Sequence, residues 1–126
     1  MNTLPKEERL FGVKLITDLY QNSSSFLCYP YKINWQFIPA ADIAPAKVLF
    51  SVSKKRFKKA VERNLLKRRM RESYRLQKQE FLFRKMENLE KQLVFSVAYI
   101  GKEINDAVFM RLKMQKVLQQ LAEKLS

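Results

Sequence analysis

The stretch Leu93–Ile100, LVFSVAYI, restricts the possible folds more than any other part of the chain. It is far shorter than the roughly twenty apolar residues a membrane span needs. Its unbroken hydrophobicity is that of a strand covered on both faces. Such a strand sits inside a sheet with a layer over each side, and Gly101 ends it.

The remaining segments supply those layers. Pro5 followed by Lys6-Glu7-Glu8 resembles the acidic opening turn of a helix, and Leu10, Val13, Ile16, Leu19 and Tyr20 recur at helical spacing. A first helix is therefore predicted from about Pro5 to Gln21, with a turn at Asn22-Ser23-Ser24-Ser25. Phe26–Ile38 is aromatic and β-branched, with Tyr31, Ile33, Trp35 and Phe37 alternating onto one face, so it reads as strand. Pro30 has no amide proton to give to a ladder and marks an edge, a bulge or a break into two strands. Lys47–Val52 is a further extended run. Helical propensity then spans from about Phe57 to at least Gln79. Asn105-Asp106 can cap a last helix whose stripe is Ala107, Met110, Met114, Val117, Leu118, Leu121 and Leu125. The order α-β-β-β-α-β-α predicts an α+β fold, a two-layer α/β sandwich with helices on a mixed sheet, formed as one domain over residues 1–126.

Charge narrows the function. The chain holds 25 Lys and Arg against 12 Asp and Glu, a net +13. Self-repulsion of that size disfavours the compact state unless a polyanion relieves it. Cys28 is the single cysteine and histidine is absent, which excludes Cys/His zinc sites and an internal disulfide. The opening MNTLPKEERLFGVKLITDLY has no uncharged apolar run of a signal peptide, so a cytoplasmic location is expected.

The charge concentrates in SVSKKRFKKAVERNLLKRRMRES, Ser51–Ser73, whose only acids are Glu62 and Glu72. At about 100° per residue, Asn64, Lys67, Arg68, Arg71 and Arg75 share one arc of roughly 100°. Leu66, Met70 and Tyr74 follow at intervals of four and form the expected core contact, while Val61, Leu65 and Leu76 make a second, less regular apolar strip. An ordinary solvated helix alternates signs to gain i,i+4 pairs. This arc holds no acid, and its arginines suit bidentate phosphate contacts and stacking on unpaired bases. Upstream, Lys54, Lys55, Arg56, Lys58 and Lys59 crowd the start of the helix, where the macrodipole disfavours cations and a phosphate would reverse the penalty.

Arg63-Asn64, Lys67-Arg68 and Arg71-Glu72 stand in the register of a known motif, preceded by Ala60-Val61 and Ser51-Val52-Ser53-Lys54-Lys55. In this the sequence resembles the protein subunit of bacterial ribonuclease P. The resemblance implies a mixed four-stranded sheet with a left-handed βαβ crossover, the fold class shared with the second domain of a small-subunit ribosomal protein. It also implies a partner, the large catalytic RNA, which removes the 5′ leader of precursor tRNA with Mg²⁺ bound chiefly by that RNA. Arg63, Asn64, Lys67, Arg68 and Arg71 would lie against the catalytic RNA, and a cleft between the first helix and the sheet would hold the leader. Where family members often carry two aromatics on the first helix, this chain has Ile16 and Tyr20; Tyr29 and Tyr31 are further candidates for stacking on leader bases.

No catalytic residue is expected from the protein. Its aspartates, Asp18, Asp42 and Asp106, are scattered, and neither a histidine base nor a partner for Cys28 exists. The chain is thus expected to act as an RNA-binding component of an endoribonuclease whose catalytic groups are in RNA, without an obligate protein partner. A stand-alone ribosomal or tRNA-binding protein accounts for charge and aromatics equally well, but not for the motif register. A duplex-DNA reader lacks a second helix a short turn upstream. A membrane-surface role lacks a broad apolar helix face.

Overall fold

The computed structural model describes residues 4–40, 42–87 and 90–125. A helical turn at Lys6–Glu8 leads to α1 (Val13–Asn22), then β1 (Ser24–Cys28), β2 (Tyr31–Pro39), β3 (Ala46–Val52), α2 (Ala60–Phe81), a short turn Phe83–Met86, β4 (Lys91–Tyr99) and α3 (Ala107–Glu123). The sheet order is β1-β2-β4-β3, with β1–β2 and β2–β4 antiparallel and β3–β4 parallel. β4 is central, and Gln92 through Val97 are all buried in it, as an unbroken apolar run requires. Parallel neighbours cannot be joined by a tight turn, so the β3-to-β4 connection carries α2 across the sheet.

The predicted order of elements holds, while two junctions differ. The N-terminal pattern is not one helix. Arg9 bridges to Val48, Leu10 N donates to Val48 O at 3.0 Å, and Gly12 adopts φ +103° before α1 begins. Leu10 therefore belongs to a strand-like segment alongside β3, and glycine supplies the positive φ that turns the chain into α1. Likewise Ser24 and Ser25 lie in β1, so only Ser23 separates it from α1. Pro30 is a break: β1 and β2 form a hairpin around Tyr29-Pro30.

Alternation sorts the strands onto two faces. Tyr31, Ile33, Val48, Phe95, Val97 and Tyr99 face α2 and α3, where Leu66, Met70, Tyr74, Met110, Met114 and Leu121 complete the main core. Each fully buried side chain of this size contributes roughly 1.5–3 kcal/mol. Tyr74 packs edge-on against Phe50 and Phe95, both at 5.8 Å between ring centres. On the other face α1 covers only part of the sheet, through Leu19 and Ile16 against Val94, Ile38 and Leu49. The cross-strand row Leu27, Lys32, Ala98 and Ser51 is open at its β1–β2 end, where Leu27 and Lys32 are exposed, and half-buried at Ala98 and Ser51. Asp106 caps α3 by accepting from Phe109 N at 2.8 Å, as its sequence predicts.

Candidate nucleic-acid interface

α2 divides its circumference. Leu66, Met70, Ser73, Tyr74 and Gln77 are buried, whereas Asn64, Arg68 and Arg71 are exposed on the opposite side and Lys67 is half-buried. Among the described residues, neither Lys67, Arg68 nor Arg71 makes an ion pair or a side-chain hydrogen bond. The ridge has two flanks. Lys67 and Arg71 border a groove of about 530 Å³ that runs between α2, β3 and the N-terminal segment. Arg68 turns the other way, toward Arg69, Glu72 and Arg111 in the groove between α2 and α3.

The corner between β3 and α2 is a built turn. Ser53 O accepts from Phe57 N at 3.1 Å and Ser53 Oγ from Lys55 N at 3.1 Å. Phe57 is buried, its ring 5.8 Å from that of Tyr99, so Lys54, Lys55, Arg56, Lys58 and Lys59 are held outward and exposed. Arg63 sits apart from the exposed ridge: its Nη1 donates to Phe57 O at 2.8 Å and Lys58 O at 2.9 Å, tying the corner to the helix. Arg56 Nη1 reaches Ile100 O at 3.0 Å, and Arg69 Nη1 reaches Asn105 O at 2.6 Å. These bonds fasten the corner and α2 to the β4–α3 loop, itself organised by Tyr99 Oη, which donates to Glu103 O and accepts from Asn105 N and Nδ2.

The open sheet row lies beyond this corner. Asp18 secures α1 to the sheet, accepting from Gln36 Nε2 at 2.8 Å and from Asn22 Nδ2 at 2.6 Å; the Gln36 bond, then the Asn22 bond, hold its carboxyl below the usual range. Tyr20 is exposed on the flank of α1 and Tyr29 is exposed at the hairpin. Tyr31 departs from the expectation of a cleft residue. Its side chain faces the helical layer, it is fully buried, and its hydroxyl donates to Met110 O at 2.9 Å, so it presents no surface to a base. Burial drives its hydroxyl pKa well above the usual value.

Four participants were not anticipated from sequence. Arg9 and Phe11 line the groove beside Lys67 and Arg71, and Lys78 pairs with Glu8 at 2.5 Å to hold the N-terminal turn against α2. An exposed aromatic next to Gly12 was the available signal for Phe11; the Glu8–Lys78 contact has no local signature. Among the described residues no group of three His, Cys, Asp or Glu side chains is placed to hold a metal ion, and no helix is long and apolar enough to cross a membrane.

A mixed sheet packed on helices, a cationic ridge whose Lys67, Arg68 and Arg71 form no ion pairs, and an exposed basic corner are the features of an α/β sandwich suited to bind RNA. The family model for ribonuclease P matches residues 4–124, and the chain belongs to that family. It is 33% identical over 121 residues to the ribonuclease P protein component of Porphyromonas gingivalis, covering 94% of this chain and 86% of that protein. The corresponding Chlorobaculum tepidum protein is 37% identical over 81 residues, 61% of this chain and 52% of the relative. Among solved structures, the RNase P protein of Thermotoga maritima superposes with a TM-score of 0.69 at 22% identity, covering 90% of this chain and 96% of the other. The Staphylococcus aureus RNase P protein superposes at 0.66 with 18% identity, covering 90% and 94%. The chain is accordingly a protein component of a ribonucleoprotein endonuclease that acts in tRNA 5′ processing.

Proposed function

We propose that α2 and the basic corner dock on the large catalytic RNA, while the open row beside α1 receives the single-stranded 5′ leader of precursor tRNA. The observation that carries this reading is the ridge itself: Asn64, Lys67, Arg68 and Arg71 lie together with no acidic partner, next to the exposed cations Lys54–Lys59. Phosphates would remove their mutual repulsion, and release of counterions would supply much of the affinity. The N-terminus of α2 has no side-chain cap, so its free amides add to the attraction for an anion at the corner.

In this reading Arg63 holds the corner in shape, and Tyr20 and Tyr29 stack on leader bases. Mg²⁺, held chiefly by the RNA, would when bound supply an activated water and stabilise the charge that develops as the phosphodiester is cleaved. The protein positions substrate, and it works in the cytoplasm. Reconstitution with the cognate large RNA at low Mg²⁺ tests the reading: added protein should stimulate specific removal of the leader, and no stimulation would sink it.

A further inference from the structure

The groove beside the ridge contains three unfavourable features at once. Phe11 is 59% exposed, and its ring contacts no other aromatic among the described residues. Lys67 and Arg71 are like charges one helical turn apart with no ion pair, and such pairs destabilise a helix. Leu49 and Phe50, half-buried on opposite faces of β3, line the groove with the buried Val48 at the outer edge of the sheet, and no lining residue is acidic. The volume of about 530 Å³ falls within the range of roughly 300–1,000 Å³ typical of small-ligand sites.

From this arrangement we infer that the groove holds one unpaired nucleotide, its base against Phe11 and the β3 edge and its phosphate between Lys67 and Arg71. A single occupant of that chemistry relieves all three features: the aromatic gains a stacking partner, the apolar lining is covered, and the cations are neutralised. A protein segment rich in apolar residues would cover the lining but leave the cations unpaired. A bare phosphate would leave Phe11 in water. This extends the RNA contact from the outer ridge into the groove between α2 and the N-terminal segment, and it rests on the RNA-binding reading above. The nucleotide can come from a bulge or loop of the large RNA or from the leader.

The test uses Phe11→Trp in a Trp35→Phe background, which leaves one tryptophan in the chain. The large RNA, leader-bearing precursor tRNA and mature tRNA are added separately, with binding measured in parallel by filter retention. Stacking should quench the emission, and the arm that quenches identifies the source. Retained RNA with unchanged emission in every arm would overturn the groove inference and leave the RNA-binding reading intact; absence of RNA binding by the unaltered protein would instead remove that reading. Phe11→Ala provides a check independent of Trp35, since Phe11 is exposed. It should weaken binding in the responsive arm roughly 5- to 100-fold without changing the salt dependence, whereas Arg71→Gln should reduce that dependence. Unaltered affinity of Phe11→Ala in all arms would also overturn the inference.

Discussion

Lys78 Nζ lies 2.5 Å from Glu8 Oε1 across seventy residues of sequence, with both side chains largely shielded from water. The ammonium also lies 5.4 Å from the Phe83 ring centre and 5.9 Å from that of Tyr74. The pair pins the N-terminal turn to α2 and so keeps one wall of the Phe11 groove in place. Removing either partner leaves a charge in a poorly hydrated position. Glu8→Gln or Lys78→Met should each cost about 2 kcal/mol in urea unfolding, and the Glu8→Gln/Lys78→Met double variant should cost less than the two single losses added together. Additive losses would show that the two groups are not coupled.

Acid should weaken the β3 end of the sheet through Asp42. Its carboxylate is held below the usual range chiefly by the hydrogen bond from Lys47; burial opposes this, and the weaker bonds from Ala44 N and Gln92 lower it further. A carboxyl with a lowered folded-state pKa stabilises the fold above its unfolded value, near 3.9, and loses that contribution as pH falls through the folded value. The urea midpoints of the native protein and Asp42→Asn should therefore differ at pH 7 and converge below about pH 4. A constant difference over this window would mean that ionisation of Asp42 is not the source.

Tyr20 and Tyr31 should separate stability from substrate binding. Tyr20→Ala is expected to weaken binding of leader-bearing precursor more than of mature tRNA, by roughly the 1–3 kcal/mol of one stacked base. Tyr31→Phe removes the bond to Met110 O and should cost about 1 kcal/mol of stability with no change in that discrimination. Equal loss for both RNAs in Tyr20→Ala would exclude Tyr20 from leader binding.

Arginines with similar motif standing should differ in their salt response. Arg68→Ala and Arg71→Ala each remove an exposed cation and should flatten the dependence of log K on log salt by roughly 0.7–0.9. Arg63 donates to the corner carbonyls, so Arg63→Ala should lower affinity while leaving the slope nearly unchanged, and should speed amide exchange at residues 54–59. A slope loss equal to that of Arg68→Ala would make Arg63 a direct phosphate contact.

What could be read from sequence was local and periodic. The stripe of α3 and the arc of α2 repeat at helical spacing and β4 is one unbroken apolar run, and all three emerge in the fold. The alternation places Tyr31 on one face with Ile33, Trp35 and Phe37, and only the packing of α2 and α3 makes that face the covered one and removes Tyr31 from a cleft role. The first helix is shorter than its pattern predicts because Leu10 has helical spacing yet bonds to Val48, a pairing set by tertiary structure. Phe11 and the Glu8–Lys78 pair depend on bringing the N-terminal segment beside α2. The two flanks of the ridge depend equally on which elements pack beside it, and a helical projection of one segment contains none of that.

If α2 docks on RNA as proposed, its divided circumference makes two properties of this protein independently adjustable. Changes at Leu66, Met70 or Tyr74 alter packing, whereas changes at Asn64, Arg68 or Arg71 meet solvent and leave the core alone. Variants drawn from the two sides should spread along perpendicular axes when melting temperature is plotted against RNA affinity. Such a helix would let the protein follow drift in an RNA partner, substitution by substitution, without putting its own folding at risk.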